Sequence, residues 1–176
     1  MSHKILQFIS EEEISNRVKE LGKQITEDYK GKDILLMGIL KGSVPFLCSM
    51  MWAIDNEKLS IDFMEVSSYG SGKESSGDVK ISKDASGSIK GKNVLIIEDI
   101  VDTGRTIEKL LKLLETREPA SIKVCTLLDK PSRRVCDIKP DYIGFEIENR
   151  FVAGFGLDDD QYMRQLKYVG EVIFDE

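Results

Sequence analysis

Four consecutive apolar residues, Val94-Leu95-Ile96-Ile97, run directly into two acids, Glu98 and Asp99, and then into Ile100-Val101-Asp102-Thr103-Gly104-Arg105-Thr106. Ile107, Leu110, Leu111 and Leu114 follow at helical spacing. A segment that is apolar at every position suits a strand covered on both faces, which an α/β architecture provides. The pattern therefore predicts a buried strand over 93–98, a turn of small residues, and a helix over 104–116. Such a turn offers backbone N–H groups, hydroxyls and the positive end of a helix dipole to a phosphate. The acids beside it can address sugar hydroxyls, a Mg²⁺ ion or a proton. Handling a phosphorylated sugar is a task that needs both at one strand end.

The rest of the chain repeats the alternation. Ser10 and Glu13 form a capping-box pattern ahead of the helical stripe Ile14, Val18, Leu21, Ile25, which Gly31 closes. Ile34 to Leu40 reads as another fully buried strand. It breaks at Lys41-Gly42-Ser43 and is followed by an apolar helix over about 44–54. Further strands are expected at Leu59–Val66, Ile122–Leu128, Tyr142–Ile147 and Tyr168–Phe174, with a short returning strand at Asp78–Ser82. Residues 67–77 are small, polar and glycine-rich, and the tyrosine among them suggests a mobile lid over about 68–85. Neither an internal repeat nor an interdomain linker is visible. The chain reads as one domain over 1–176: a parallel sheet flanked by helices on both faces. Ligands of such sheets bind beyond the carboxyl ends of the strands. Lys41-Gly42, Glu98 to Thr106, and Asp129-Lys130 all fall at such ends.

Composition removes several rival classes. The formal net charge of −6 disfavours a large nucleic-acid footprint. The only histidine, His3, sits near the start of the chain, so acid–base work falls to carboxylates, lysines or tyrosines. Three cysteines, Cys48, Cys125 and Cys136, show no CxxC spacing and read as reduced cytoplasmic thiols. No signal peptide and no bilayer-length apolar run is seen, so no membrane partner is expected.

The stretch Ile96 to Thr106 resembles the phosphoribosyl-pyrophosphate (PRPP) signature of the type I phosphoribosyltransferases. Four further segments narrow the resemblance to the hypoxanthine-guanine group: Leu40-Lys41-Gly42-Ser43, Ser68-Tyr69-Gly70, Leu128-Asp129-Lys130-Pro131-Ser132-Arg133-Arg134, and Phe151-Val152-Ala153-Gly154-Phe155-Gly156-Leu157-Asp158. The family resemblance implies the fold just described, with a small base-binding hood built from about 1–10 and 130–176. It implies transfer of ribose-5-phosphate from PRPP to a 6-oxopurine nitrogen, with release of pyrophosphate. In that light Glu98, Asp99, Ile100, Asp102, Thr103, Gly104, Arg105 and Thr106 bind the PRPP or nucleotide phosphate and ribose, and Asp102 is the catalytic acid or base. Lys41, Gly42 and Arg164 contact pyrophosphate, with a cis peptide at Leu40–Lys41. Ser68 and Tyr69 belong to the lid. Lys130 meets the purine 6-oxygen, Phe151 stacks on the base, and Val152 and Asp158 address its edges. Mg²⁺ is the implied cofactor, with Glu98, Asp99 and Asp158 as its protein ligands. A homodimer or homotetramer is implied as well.

Some positions depart from the family pattern. Phe155 stands where many relatives carry tyrosine, Asp159 where an aromatic is common, and Asn149-Arg150 where an acid-led pair is usual. These changes flank the base pocket and leave base preference open. Two alternatives stand beside the main reading: a xanthine-preferring phosphoribosyltransferase, and a non-catalytic RNA-binding regulator on the same fold.

Overall fold

The computed structural model describes residues 3–68 and 79–174. Tyr69 and most of the expected lid lie outside the described residues. In order, the elements are β1 (His3–Ile9), α1 (Glu11–Asp28), β2 (Ile34–Leu40), α2 (Val44–Ala53), β3 (Leu59–Ser68), β4 (Val79–Lys83), β5 (Asn93–Val101), α3 (Arg105–Glu115), β6 (Ser121–Asp129), β7 (Tyr142–Glu146), β8 (Val152–Ala153) and β9 (Val169–Phe174). A single 3-10 turn, Pro131–Arg133, follows β6.

Six strands form one sheet in the order β4-β3-β2-β5-β6-β7. All neighbours run parallel except β4, which returns antiparallel along β3. The strand periodicity of two divides the apolar runs between the faces. Ile34, Leu36, Leu95, Ile97 and Leu127 face α1 and α2, meeting Ile14, Leu21, Ile25, Phe46, Leu47 and Met50. Leu35, Met37, Ile39, Val94 and Ile96 face the other way, meeting Ile107, Leu110 and Leu114 of α3. A fully buried aliphatic side chain contributes roughly 1.5–3 kcal/mol, against under about 1 kcal/mol for a surface ion pair. These two layers therefore carry the fold. The helix α1 begins at the capping box that its sequence predicts. The Ser10 hydroxyl accepts from Glu13 N at 3.2 Å, and Glu13 Oε2 accepts from Ser10 N at 2.8 Å.

Two differences from the sequence reading concern the site. First, β5 does not stop at Glu98 but continues to Val101, because its pairing with β6 runs on through Ile100↔Leu128 and Val101↔Asp129. Glu98 and Asp99 are thus strand residues at the sheet rim, not a loop edge. Second, the sequence reading assigned no element to the N-terminal residues, yet β1 pairs antiparallel with β9, and β8 completes a second, three-stranded sheet. Its alternation is interrupted by a register shift between Gln7 and Ile9, which hides the strand pattern. This small sheet draws on the expected hood segments, but β7, inside the expected span 130–176, belongs to the six-stranded sheet, where it pairs parallel with β6.

Tyr29, the residue that caps α1, is buried at 3% exposure, and its hydroxyl finds no hydrogen-bond partner among the described residues. Burial, with Asp141 and Asp28 nearby, pushes its phenol up to about 12. The phenol of Tyr142 is raised too, first by burial and then by its hydrogen bond to Asp28, 2.6 Å away. A folded-state pKa above the unfolded value means stability that is complete below the ordinary tyrosine value of about 10 and is lost as pH rises through the folded value. Unfolding free energy should therefore fall between pH about 10 and about 12. Tyr29→Phe should lessen that fall and raise stability at neutral pH by about 1 kcal/mol, since it removes an unpaired buried hydroxyl. Urea titrations across the alkaline range measure both effects.

Candidate active site

The parallel strands β2, β5 and β6 lie side by side, so their carboxyl ends open onto one rim. That rim carries Lys41-Gly42 after β2, Asp102 to Thr106 after β5, and Lys130 after β6. Helix α3 starts at Gly104, which adopts φ +83°, a left-handed conformation that glycine reaches without strain. No side chain caps this helix. Its first amides are therefore left for another acceptor. A cavity of about 110 Å³ opens there, lined by Glu98, Ile100, Val101, Asp102, Thr103, Gly104, Thr106 and Ile107. Arg105 is exposed, and its side chain does not line this cavity.

A second cavity, of about 270 Å³, is lined by Asp99, Ile100, Asp102, Lys130, Phe151, Val152, Leu157 and Asp158. Ile100 and Asp102 border both spaces. Phe151 is 47% exposed, and its ring lies 5.7 Å from that of Phe174, tilted by 41°. A half-open aromatic ring on a cavity wall suits a planar ligand. Val152 is buried in β8. Lys130 is also buried, and its Nζ donates to the Arg150 carbonyl at 2.6 Å. Burial pushes its ammonium below the usual lysine range, with Asp102 opposing the shift. Larger depressions exist, such as one of about 380 Å³ near Thr26, Lys30 and Lys58, but it lies by the end of α1 and the amino ends of β2 and β3, away from this rim. It is lined by none of these residues.

On the β2 side the packing is close. A Cβ placed on Gly42 would lie 1.6 Å from Asp99 Oδ2, and one on Gly156 would lie 1.9 Å from the Gly42 carbonyl. Arg164 completes the group: Nη1 donates to the Gly156 carbonyl at 2.7 Å, and Nη2 pairs with Asp158 Oδ1 at 2.7 Å. Lys41 is exposed and lines neither cavity, and the Leu40–Lys41 peptide is cis, as the family resemblance implies. Ser68 ends β3.

Two carboxyls stand out electrostatically. Burial pushes Glu98 well above the usual carboxylate range, and the charge of Asp99 pushes the same way. Asp99 is raised by burial as well, with Arg164 opposing. Buried carboxylates beside a cavity are hard oxygen donors that suit Mg²⁺, which takes few protein ligands and keeps water and substrate oxygens. Asp99 and Asp158 share the larger cavity, whereas Glu98 faces the smaller one. The described residues hold no cluster of three or more ligands able to cage a metal alone.

The comparisons with known proteins agree with this geometry. The model of the phosphoribosyl transferase domain matches residues 9–160. This chain belongs to the phosphoribosyl transferase family. Over 163 residues, 93% of this chain and 88% of the relative, it is 54% identical to a hypoxanthine-guanine phosphoribosyltransferase of Lactococcus lactis. It superimposes with a TM-score of 0.91 on a crystal structure of a hypoxanthine phosphoribosyltransferase from Staphylococcus aureus, at 49% identity, covering 94% of this chain and 90% of that one. It is 47% identical to the bifunctional protein TilS/HprT of Listeria monocytogenes, but spans only 25% of that relative's length.

The sequence pattern carries no signal for the roles of Arg133 and Arg134 beyond their position after β6. Arg134 forms a buried ion pair with Asp129 and donates to the Ile138 carbonyl at 3.0 Å, while its Cδ would lie 2.7 Å from a Cβ on Gly104. It thus packs beneath the phosphate-type turn. The signal was the density of cations immediately after a buried strand. Ser43 was passed over as well: it is fully buried beside Gly42, and its hydroxyl has no partner among the described residues.

Gly42→Ala would force its new methyl into the Asp99 carboxylate and should lower unfolding free energy by about 1–3 kcal/mol. Chemical denaturation reads this directly. An unchanged midpoint would show that the Asp99 side chain swings freely out of the way.

Proposed function

We propose that this phosphoribosyl transferase moves the 5-phosphoribosyl group of PRPP onto hypoxanthine or guanine, giving IMP or GMP and pyrophosphate. The observation that carries this reading is the pair of adjoining cavities with Asp102 on their common border. One cavity has the chemistry of a phosphate cradle, the other that of a purine slot. The names of the Lactococcus lactis and Staphylococcus aureus relatives support the same substrates. Nothing in the site favours the xanthine-preferring or RNA-binding alternatives.

The roles follow from position. The free amides at the start of α3, with the Thr103 and Thr106 hydroxyls, receive the 5-phosphate, and Gly104 lets it approach the backbone. Arg105 contributes through its backbone there. Glu98 and Asp99 hold the ribose hydroxyls. Glu98, Asp99 and Asp158 would hold Mg²⁺, which when bound would supply positive charge to offset that of pyrophosphate. Lys41, Gly42 and Arg164 line the exit taken by pyrophosphate. In the base slot Phe151 stacks on the purine, Lys130 turns from the Arg150 carbonyl to the 6-oxygen, and Val152 and Asp158 meet the base edges. As the bond from the sugar carbon to pyrophosphate breaks, a purine nitrogen bonds to that carbon, and Asp102 takes the imidazole proton. The fixed charges around the sugar stabilise the cationic transition state. Cytoplasmic location fits the three free cysteines. A homodimer or homotetramer is the assembly we expect.

A competition assay with PRPP, Mg²⁺ and four bases should consume hypoxanthine and guanine and leave adenine. Consumption of xanthine above both would overturn the base assignment. Asp102→Asn should retain PRPP binding by calorimetry while turnover drops about 10²-fold or more.

A further inference from the structure

Asp102 stands on the border of the two cavities, and its carboxylate is not left to find its own orientation. Oδ1 accepts a hydrogen bond from Arg133 Nε at 3.1 Å. Arg133 ends the 3-10 turn Pro131–Arg133, and backbone bonds join the segment around it to the segment that carries Asp102. Before the pair, Lys130 N donates to the Val101 carbonyl at 3.0 Å. After it, Val135 N donates to the Thr103 carbonyl at 3.1 Å. The turn closes on itself through Arg133 N to the Lys130 carbonyl, 3.0 Å, and Arg134 N to the Pro131 carbonyl, 3.2 Å. The buried Arg134–Asp129 pair anchors the turn from below. The Asp102–Arg133 contact is thus held in register on both sides by main chain.

Its energetics argue against a stability role. The two side chains are 40% and 46% exposed. An ion pair this open adds at most about 1 kcal/mol to folding. Orientation is a different matter, because a carboxylate with one oxygen engaged presents the other in a fixed direction. The charge of Arg133 also reaches Lys130, a cation that lines the same cavity as Asp102.

We infer that Arg133 is the positioning residue of Asp102: by engaging Oδ1 it leaves Oδ2 as the proton acceptor for the purine. This rests on the role assigned to Asp102 above. The step balances as one neutral purine plus PRPP giving nucleotide, pyrophosphate and a proton. The carbon–oxygen bond to pyrophosphate breaks with its electron pair leaving on oxygen, the purine nitrogen bonds to the sugar carbon, and the imidazole proton passes to Oδ2. Arg133 touches neither reactant and acts only through Asp102.

Steady-state kinetics of Arg133→Met, Arg133→Lys, Asp102→Asn and the Arg133→Met/Asp102→Asn double variant provide the test, with thermal midpoints measured for each. Arg133→Met should lower kcat about tenfold, a part of the whole contribution of a general base, while the KM for PRPP stays within about twofold. Arg133→Lys should recover most of the loss, because a cation at that place can still engage Oδ1. In the Asp102→Asn background, Arg133→Met should have no further effect, which a merely structural residue would not show. Equal losses in both backgrounds, or an unchanged kcat in Arg133→Met, would overturn the inference. Should Arg133→Met fail to fold, an Arg133→Lys variant as slow as Asp102→Asn would overturn it, and one near wild type would support it. Undiminished turnover in Asp102→Asn alone would instead refute the role of Asp102 from which the inference starts.

Discussion

The parallel pairing of β5 with β6 is the constraint on which the site depends. The two strands stay in register through Ile100↔Leu128 and Val101↔Asp129, and leave the sheet at the same level. Groups of opposite character meet at that shared exit. Acids come from the end of β5 and the turn after it, and a cation comes from the residue after β6. Because Lys130 N and Val135 N then bond back to Val101 and Thr103, the two exits remain tied for several residues beyond the sheet. A shift of one register position would turn each of these side chains to the opposite face. The two hydrophobic layers therefore fix the chemistry as well as the fold.

The same rim holds ionisable groups in unfavourable surroundings. Glu98 and Asp99 are pushed up by burial, and Lys130 is pushed down by it. Glu98 and Asp99 are kept where they are by strand residues on either side, and Lys130 by the main-chain bond from its amide to the Val101 carbonyl. Groups in that condition gain most from a ligand that brings the missing charge, and desolvated charges act more strongly on one than they would in water. On the function proposed above, a magnesium-complexed diphosphate would supply that charge to the acids, and a purine carbonyl oxygen would supply an acceptor to the lysine. Arg164 shows the contrast. Its guanidinium is already satisfied by the Gly156 carbonyl and Asp158, so it shapes the loop it sits on as much as it waits for substrate.

Much of this was legible in the residues themselves. Uninterrupted apolar runs such as Ile34–Leu40 have no other stable home than a doubly covered strand, and Ser10 with Glu13 announces the start of α1. The turn from Asp102 to Thr106 was legible because small residues between a strand and a helix have few uses. The hood was readable only in part. Its strand β1 carries a register shift, and β8 is two residues long, so neither shows a period to detect. Long-range packing was invisible as well. That Gly42 must be glycine because of Asp99, or that Arg134 lies under Gly104, depends on contacts between segments that no spacing rule connects.

Glycine is what lets these segments converge. Gly42 touches the Asp99 carboxylate, Gly156 touches the Gly42 carbonyl, and Gly104 touches Arg134 and Cys136. The Gly42 contact joins the end of β2 to β5, the Gly156 contact brings the loop after β8 onto β2, and the Gly104 contact joins the exits of β5 and β6. The main chain itself thereby becomes the wall of the site, and main-chain groups do not reorient when a substrate enters. Donors that need no rearrangement are the most effective against a short-lived charged transition state, since the cost of aligning them was met when the protein folded. The helix start at α3, without a capping side chain and with Gly104 in a left-handed conformation, belongs to the same pattern. A capping hydroxyl would have satisfied the amides and closed the cradle. Its absence lowers the intrinsic stability of the helix, and the apolar stripe Ile107, Leu110, Leu114 buried against the sheet offsets that loss.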